Sequence, residues 1–342
     1  MSKSYILSAK DLEKFVDELA KGKVLFGPVE EEGATFFKKV RGLSEITIPE
    51  VNTTSPAKES RLPRDTPLMK LVWEDNNIKP KDPKEFSERV FFGVRPCDAA
   101  QNQLLDAVFL DEPVDDFYQK QKEKLLTIAL ACDNPGYYCF CDKVGIGPHS
   151  RLGADIYLVK INDSYLVEGV NEKGEKSLEN VKKLLKKATE KDMDLEKSNE
   201  KSALKKFTQN PLIDKDLPKK MLDKWDHPIW EENGAKCIGC GICTFLCPTC
   251  YCFELADDFN ELADIGERIR CWDACTMPSF TKMAGGHNPR DTQTKRLRQR
   301  IQHKFNYIPE RYGFFGCTGC GRCTQKCPVD VNLVEILEEV GK

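Results

Sequence analysis

Two copies of one cysteine motif lie in the last third of the chain. They are Lys236-Cys-Ile-Gly-Cys-Gly-Ile-Cys-Thr-Phe-Leu-Cys-Pro248 and Gly316-Cys-Thr-Gly-Cys-Gly-Arg-Cys-Thr-Gln-Lys-Cys-Pro328. Each has the spacing Cys-x2-Cys-x2-Cys-x3-Cys-Pro, in which three close thiolates hold one [4Fe-4S] cluster and the fourth cysteine serves a second cluster. The glycines at positions 239, 241, 319 and 321 let the backbone approach the sulfurs. The repeat therefore predicts two [4Fe-4S] clusters held close together.

The exchange of the fourth cysteine predicts both ligand sets. One cluster takes Cys237, Cys240, Cys243 and Cys327, and the other takes Cys317, Cys320, Cys323 and Cys247. Cys250 also follows Cys243 closely, so it remains an alternative to Cys247. A zinc site usually combines two cysteine pairs and has no use for the third cysteine or the Cys-Pro ending. Disulfides are disfavoured because the chain is large and shows no secretion signal.

A third cysteine set lies in the first half of the chain. Its members are Cys97, Cys132, Cys139 and Cys141. Cys97 follows a buried-strand pattern that ends at Val94, and Cys132 follows another that ends at Leu130. Parallel strands joined through a helix bring their carboxyl ends side by side, which is where α/β sheets bind ligands. We expect a third [4Fe-4S] cluster here, with ordinary buried cysteines or a zinc site as the alternatives.

Four cysteines have no spacing that assigns them a role. They are Cys250, Cys252, Cys271 and Cys275. Their number would allow a fourth cluster, but packing near the first repeat is the preferred interpretation. Histidines 149, 227, 287 and 303 accompany no nucleophile or metal-ligand motif, so structural roles are expected.

The elements around the cysteines indicate three segments. Residues 1–170 alternate helical and extended patterns, which predicts an α/β fold with antiparallel additions such as a hairpin over residues 156–167. Residues 171–224 are rich in lysine and read as a solvated helical connector. Residues 225–342 are predicted to form an α-helical ferredoxin-like domain, because helices are expected at Phe253 to Ala263 and Thr294 to Phe305 between the two repeats.

The second of these helices is strongly basic. It has arginine or lysine at positions 295, 296, 298, 300 and 304. Such a face could dock an acidic partner, stand in solvent, or neutralise the clusters, and the last two interpretations are preferred.

Composition excludes several classes of function. The formal net charge of -3 gives no basic footprint for nucleic acid. The sequence has no apolar run near the ~18 residues of a membrane span and no secretory leader, so a soluble cytoplasmic protein is expected. It also lacks a phosphate loop and a Gly-x-Gly-x-x-Gly fingerprint, which places any flavin or nicotinamide site on another chain.

Further motifs resemble the beta subunits of cytoplasmic NiFe hydrogenases (sulfhydrogenases), which are related to the A subunit of anaerobic sulfite reductase. The likeness spans most of the chain and rests on Phe92-Gly-Val-Arg-Pro-Cys-Asp98, Cys139-Phe-Cys141, His227-Pro-Ile-Trp230, Cys247-Pro-Thr-Cys-Tyr-Cys252, Trp272-Asp273 with Cys275, and Ala284-Gly-Gly-His-Asn288. The resemblance implies a conduit in anaerobic metabolism between a flavin subunit that reacts with NAD(P)H and a terminal catalytic subunit. That subunit is of the hydrogenase, sulfite reductase or heterodisulfide reductase type. Cys271 has no clear match in the family.

The function expected from the sequence is electron transfer, with no catalysis on this chain. Two alternatives stay open. One is a catalytic subunit whose N-terminal cluster has an open iron that reduces a small oxidant such as sulfite. The other is a redox-sensing protein whose clusters regulate binding to a partner.

Overall fold

A computed structural model describes residues 4–74, 77–81, 86–260 and 265–342. The strands are β1 Ser4–Ser8, β2 Val24–Glu31, β3 Ala34–Val40, β4 Asp65–Glu74, β5 Asn77–Lys81, β6 Arg89–Val94, β7 Leu125–Leu130, β8 Ile156–Ile161, β9 Ser164–Gly169, β10 Leu185–Lys187, β11 Phe253–Asn260 and β12 Ile265–Trp272. The α-helices are α1 Leu12–Ala20, α2 Pro96–Ala99, α3 Gln101–Phe109, α4 Asp116–Glu123, α5 Glu172–Glu179, α6 Glu190–Leu204, α7 Leu217–Asp223, α8 Ile229–Lys236, α9 Ile242–Phe245, α10 Gln293–Gln302, α11 Ile308–Tyr312, α12 Arg322–Gln325 and α13 Leu333–Gly341. None of the helices in these ranges is long and apolar enough to span a membrane.

The first half of the chain is built on an eight-stranded mixed sheet. Its order is β10-β1-β9-β8-β7-β6-β2-β3, and β2, β6, β7 and β8 run parallel. The central strands β6 and β7 are mostly apolar and almost entirely buried, because helices and loops cover both faces. Phe92 and Ile128 point into the core on one face, and Phe91 and Ala129 point into the core on the other. The α/β prediction and the hairpin of β8 and β9 agree with this sheet.

The lysine-rich segment over residues 171–224 is partly integrated into this sheet. It is helical at α5, α6 and α7, and it also supplies β10, which pairs antiparallel with β1. Helix α6 begins with a capping box in which the Thr189 side chain accepts from the Asp192 N–H, and the Asp192 carboxylate accepts from the Thr189 N–H. One acidic side chain of this helix, Glu196, is buried where the helix packs against the sheet.

A second sheet joins distant parts of the chain. Its order is β11-β12-β4-β5, so strands near residue 70 pair with strands near residue 265. The sequence prediction of a helix from Phe253 to Ala263 is wrong, because Phe253–Asn260 is strand β11. Alternate residues such as Phe253 and Leu255 share one face of the strand. Antiparallel pairing with β12 makes this segment a strand rather than a helix. Residues 261–263 of that prediction lie outside the described residues.

The second predicted helix is confirmed, with an irregular end. Helix α10 continues through a π-helical turn, His303–Tyr307, into α11. Pro309 lies in the first turn of α11, where its missing N–H and its ring explain the widened turn before it. Leu297, Ile301 and Phe305 face an apolar core shared with Trp230 and with Leu337 of α13. This core supports both cysteine repeats.

Candidate metal centre

Four cysteines from both repeats line one cavity, which we call site 1. They are Cys237, Cys240, Cys243 and Cys327. Helix α8 ends at Lys236, and Gly239 and Gly241, at φ +70° and +77°, then turn the backbone around the cavity. A Cβ atom on Gly241 would lie 2.8 Å from Phe245 Cε2, so a side chain there would collide with the ring. Site 1 is the set that the spacing groups into the first cluster.

Two N–H groups donate hydrogen bonds to sulfurs of site 1. Gln293 Nε2 lies 3.2 Å from Cys237 Sγ, and Val331 N lies 3.3 Å from Cys327 Sγ. Donors to a ligand sulfur stabilise its negative charge and set the reduction potential of a cluster bound there. Cys240 is exposed, so site 1 reaches the protein surface.

The second set, which we call site 2, is more deeply buried. It comprises Cys317, Cys320, Cys323 and Cys247. Burial, reinforced by repulsion from other cysteines including Cys247, raises the pKa of each of the other three thiols, that of Cys323 to about 11. The bare thiols of Cys317, Cys320 and Cys323 would therefore stay protonated. Binding a metal supplies the positive charge that makes them thiolates.

Short helices carry the last cysteine of each repeat into the other set. Gly241 caps α9, which leads to Cys247 of site 2, and Gly321 caps α12, which leads to Cys327 of site 1. Cys323 of site 2 also lines the site 1 cavity. The two sites are therefore immediate neighbours.

Two buried cations lie between the two sites, and their surroundings indicate whether negatively charged clusters fit there. Arg300 donates to Cys243 O at 2.6 Å, and Lys304 donates to Thr249 Oγ1 at 3.0 Å and to Gly316 O at 2.9 Å. In the described part of the chain neither has a carboxylate partner. Burial disfavours charged Lys304, but Cys247 and other nearby thiols outweigh burial and raise its pKa.

Buried cations without anionic partners are costly, so these two require a buried negative charge. A [4Fe-4S] cluster with four thiolates is net negative and supplies that charge. The donor sets of sites 1 and 2 therefore fit such clusters. The sequence allows three roles for the basic helix: docking, solvation and neutralisation of cluster charge. Neutralisation fits Arg300 and Lys304, since both side chains are buried.

The N-terminal cysteines also line one cavity, which we call site 3. They are Cys97, Cys132, Cys139 and Cys141. Cys97 lies on α2 directly after β6, and Cys132 follows the adjacent parallel strand β7. Burial raises the pKa of all four thiols, that of Cys139 to about 12. The buried guanidinium of Arg95 holds the surrounding loops by donating to Val51 O at 2.8 Å and to Ala131 O at 2.5 Å.

Site 3 lies directly against the second repeat. Cys320 of site 2 and Gly319 line the site 3 cavity as well. Phe140 N donates to Gly319 O at 2.8 Å, and Cys139 Sγ lies 3.6 Å from Cys320 O. A Cβ atom on Gly319 would lie 2.5 Å from Cys141 N, so only glycine permits this approach. Sites 1, 2 and 3 form a continuous row.

A buried ion pair joins sites 2 and 3. Arg322, between Cys320 and Cys323, binds Asp98 through two hydrogen bonds of 2.6 Å and 2.7 Å. Asp98 follows Cys97 in the sequence, and both charged side chains are almost fully excluded from solvent. Arg322 Nε also donates to Thr53 O at 2.7 Å. The pair fixes the second repeat against α2.

The remaining four cysteines are not all brought together. Cys250, Cys252 and Cys275 line one cavity, which we call the Cys250 cavity. Cys271 lies on β12, where it pairs with Asp65 of β4 and contacts the Asp65 side chain. Cys247, rather than Cys250, is the neighbour of all three other site 2 cysteines.

The histidines have the following partners. His149 is buried, with Nε2 3.1 Å from Asp133 Oδ1 and Nδ1 3.3 Å from Glu196 Oε1. Burial lowers its pKa, but the two carboxylates outweigh burial and raise it to about 9. His227 Nδ1 accepts from Ile229 N at 3.2 Å, His303 contacts the Tyr251 hydroxyl at 3.2 Å, and His287 is exposed. None lies among the cysteines of sites 1 to 3.

Sequence reasoning missed three of the charged residues beside the cysteines, namely Asp98, Arg322 and Lys58. Asp98 and Arg322 stand inside the cysteine motifs, so their positions were a usable signal. Lys58 is buried beside Cys250, and nothing in its sequence context marks it. Within the described ranges, no group of three or more His, Cys, Asp or Glu side chains is arranged to hold a single metal ion.

Comparisons with known proteins agree with the cysteine pattern. A family model described as a 4Fe-4S dicluster domain matches residues 236–331. Sulfhydrogenase 2 subunit beta of Pyrococcus furiosus is 32% identical over 329 residues, which cover 96% of this chain and 95% of that relative. No solved structure matches the chain.

Proposed function

This chain belongs to the iron–sulfur beta-subunit family of the sulfhydrogenases, and we propose that it relays electrons between a flavin subunit that reacts with NAD(P)H and a terminal catalytic subunit. The terminal subunit would be of the hydrogenase, sulfite reductase or heterodisulfide reductase type. Electron transfer within an oxidoreductase complex agrees with the curated relative, which is named as a subunit. The proposed assembly is cytoplasmic.

The continuous row of three cysteine sites is the observation that carries the proposal. Site 2 touches both neighbours through the second repeat, because Cys323 lines the site 1 cavity and Cys320 lines the site 3 cavity. We propose that each site holds one [4Fe-4S] cluster, which accepts and gives up a single electron at a time. Closely spaced one-electron centres suit a chain that divides the electron pair of a flavin.

Side chains of this protein would hold and tune those centres. Gln293 and the Val331 N–H donate to sulfurs of site 1, and Gly319 N donates to Cys317 Sγ of site 2 at 3.4 Å. Arg300 and Lys304 offset the negative charge of the thiolates and keep water out. Hydrogen bonds, charge and solvent exclusion are the means by which a protein sets cluster potentials.

Exposed side chains lie beside both ends of the row, which supports docking of a partner at each. At site 1, Cys240 is exposed and its neighbour Ile238 is 65% exposed. At site 3, Tyr137 precedes Cys139 and is 67% exposed. Exposed apolar side chains beside a redox centre are suited to contact another subunit.

The test is electron flow through the complex that contains this chain. We expect the Cys97→Ala, Cys132→Ala double variant to lose about four irons per chain and to lose NAD(P)H-dependent turnover at the terminal subunit. Dye-linked activities of the two partner subunits should persist, because their own sites are unchanged. Iron, acid-labile sulfide and all three activities are measured on anaerobic protein.

The matched control is Cys271→Ala, which removes a cysteine that lies outside sites 1 to 3. It should keep iron content and coupled turnover. Full coupled turnover in the double variant, despite the iron loss, would refute the relay through site 3.

A further inference from the structure

Three cysteines outside the row surround a cavity that the relay does not use. Cys250, Cys252 and Cys275 line the Cys250 cavity, whose volume is about 440 Å³. Cys250 adjoins Cys247 of site 2, and Cys275 adjoins Cys243 of site 1. Cys252 and Cys275 are themselves in contact. The three thiols therefore converge from two loops, one after α9 and one after β12.

The surroundings of this cavity are strongly cationic. Arg290, Arg300 and Lys304 line it. Arg300 and Lys304 are four residues apart at the end of α10, where the helix widens into the π-helical turn. Such turns inside helices are frequent at functional sites. No aspartate or glutamate stands among the lining residues.

A further cation reaches the same cysteines from the other half of the chain. Lys58 is 2% exposed, donates to Cys250 O at 2.9 Å, and lies 3.7 Å from the centre of the Trp272 ring. Within the described residues it has no carboxylate partner. A buried ammonium in this position requires a negative group nearby, and no carboxylate among the described residues supplies one.

We propose that Cys250, Cys252 and Cys275 hold a fourth iron–sulfur cluster, a [4Fe-4S] cubane with three cysteine ligands. The cluster and its thiolates are net negative, which explains why Lys58 is buried beside them, while Arg300 and Lys304 face this cavity as well as sites 1 and 2. No further cysteine lines the cavity, so the fourth iron takes a non-cysteine ligand. This site is not part of the proposed relay, and the evidence for it does not depend on the relay.

The first test is iron and acid-labile sulfide on the anaerobic full-length chain. We expect the Cys252→Ser, Cys275→Ser double variant to carry about four irons fewer than the wild type. The Cys271→Ser control should match the wild type, because Cys271 does not line the cavity. Mild oxidation of the wild type should yield the EPR signal of a [3Fe-4S] cluster that the double variant lacks, since an iron without a cysteine ligand is lost most readily.

Three results would overturn the proposal. They are unchanged iron in the double variant, about one zinc per chain that the double variant loses, and a Cys252–Cys275 disulfide in the anaerobic wild type. Coupled turnover of the complex is a separate measurement that tests the relay through sites 1 to 3. The iron count of the double variant tests the cluster in the Cys250 cavity, whatever the turnover.

A second variant decides the case if the double variant fails to fold. Lys58→Met keeps the length of the side chain and removes its charge. Beside a negative cluster, this loss should lower the thermal midpoint of the anaerobic protein and the potential of one cluster. In a cavity without a negative group, removal of an unpaired buried ammonium should raise the midpoint, which would refute a cluster here.

Discussion

The buried pair of Asp98 and Arg322 makes a quantitative prediction about how the two halves of the chain are held together. Asp98→Asn keeps the shape of the side chain and removes its charge, which leaves the Arg322 guanidinium buried without its carboxylate. The two side chains are 0% and 1% exposed and are joined by two short hydrogen bonds. The variant should therefore be clearly less stable than the wild type.

The expected loss follows from the burial. Removal of one partner from a buried ion pair costs about 3–5 kcal/mol. With ~2.1 cal/mol/K per residue, the 342-residue chain has an unfolding entropy of about 0.7 kcal/mol/K if it unfolds as one unit. The thermal midpoint should then fall by about 4–7 °C.

The assay is anaerobic differential scanning calorimetry of the cluster-loaded chain at one scan rate. The matched control is Asp111→Asn, because Asp111 and Arg311 also join the two halves at 3.0 Å but are 52% and 66% exposed. An exposed pair contributes about 0–1 kcal/mol, so this midpoint should move by less than about 2 °C. If Asp98→Asn shifts the midpoint no more than the control does, the buried pair does not stabilise the junction.

Two further predictions concern site 1 and pH. Gln293→Leu removes the hydrogen bond to Cys237 Sγ and should lower the potential of one cluster by on the order of 40 mV in an EPR-monitored titration. The control is Gln119→Leu, because the exposed Gln119 side chain bonds only Glu123 among the described contacts; an unchanged potential in Gln293→Leu would contradict the role given to Gln293. His149, whose folded pKa is raised to about 9, should stabilise the fold fully below its unfolded pKa near 6.5 and lose that contribution as pH rises through about 9. The thermal midpoints of the wild type and His149→Gln should therefore differ most near pH 6 and converge above about pH 9.5, and a pH-independent difference would refute this account.

Local spacing allowed the cysteine groups to be predicted, because it sets which ligands a short loop can present. Residues such as Cys237 and Cys240 lie three positions apart around a glycine turn, and the structure brings them to one cavity. The grouping of Cys97 with Cys132 followed from strand topology, and β6 and β7 are indeed parallel neighbours. Only the contact of site 3 with Cys320 was beyond sequence reasoning, since it joins segments that lie far apart in the chain.

The errors arose where distant pairing overrides local preference. Phe253 to Ala263 contains helix-forming residues such as Glu254, Leu255 and Ala256, yet β12 offers a ladder of hydrogen bonds that makes Phe253–Asn260 a strand. Lys58 carries the least sequence signal of all, because a lysine followed by Glu59 and Ser60 looks like a surface residue. Its burial depends on the loops around Cys250 and Trp272, which lie in the other half of the chain.

The sheet that pairs β4 with β12 has a consequence for biosynthesis. Strand β4 emerges from the ribosome roughly 200 residues before β12, and at ~5–20 residues per second it waits tens of seconds for its neighbour. The interval between synthesis of Asp98 and synthesis of its partner Arg322 is longer still. The N-terminal cysteines are therefore translated well before the segment that closes over them. Until the second repeat is made, site 3 lacks Gly319 and Cys320, which line its cavity in the folded chain.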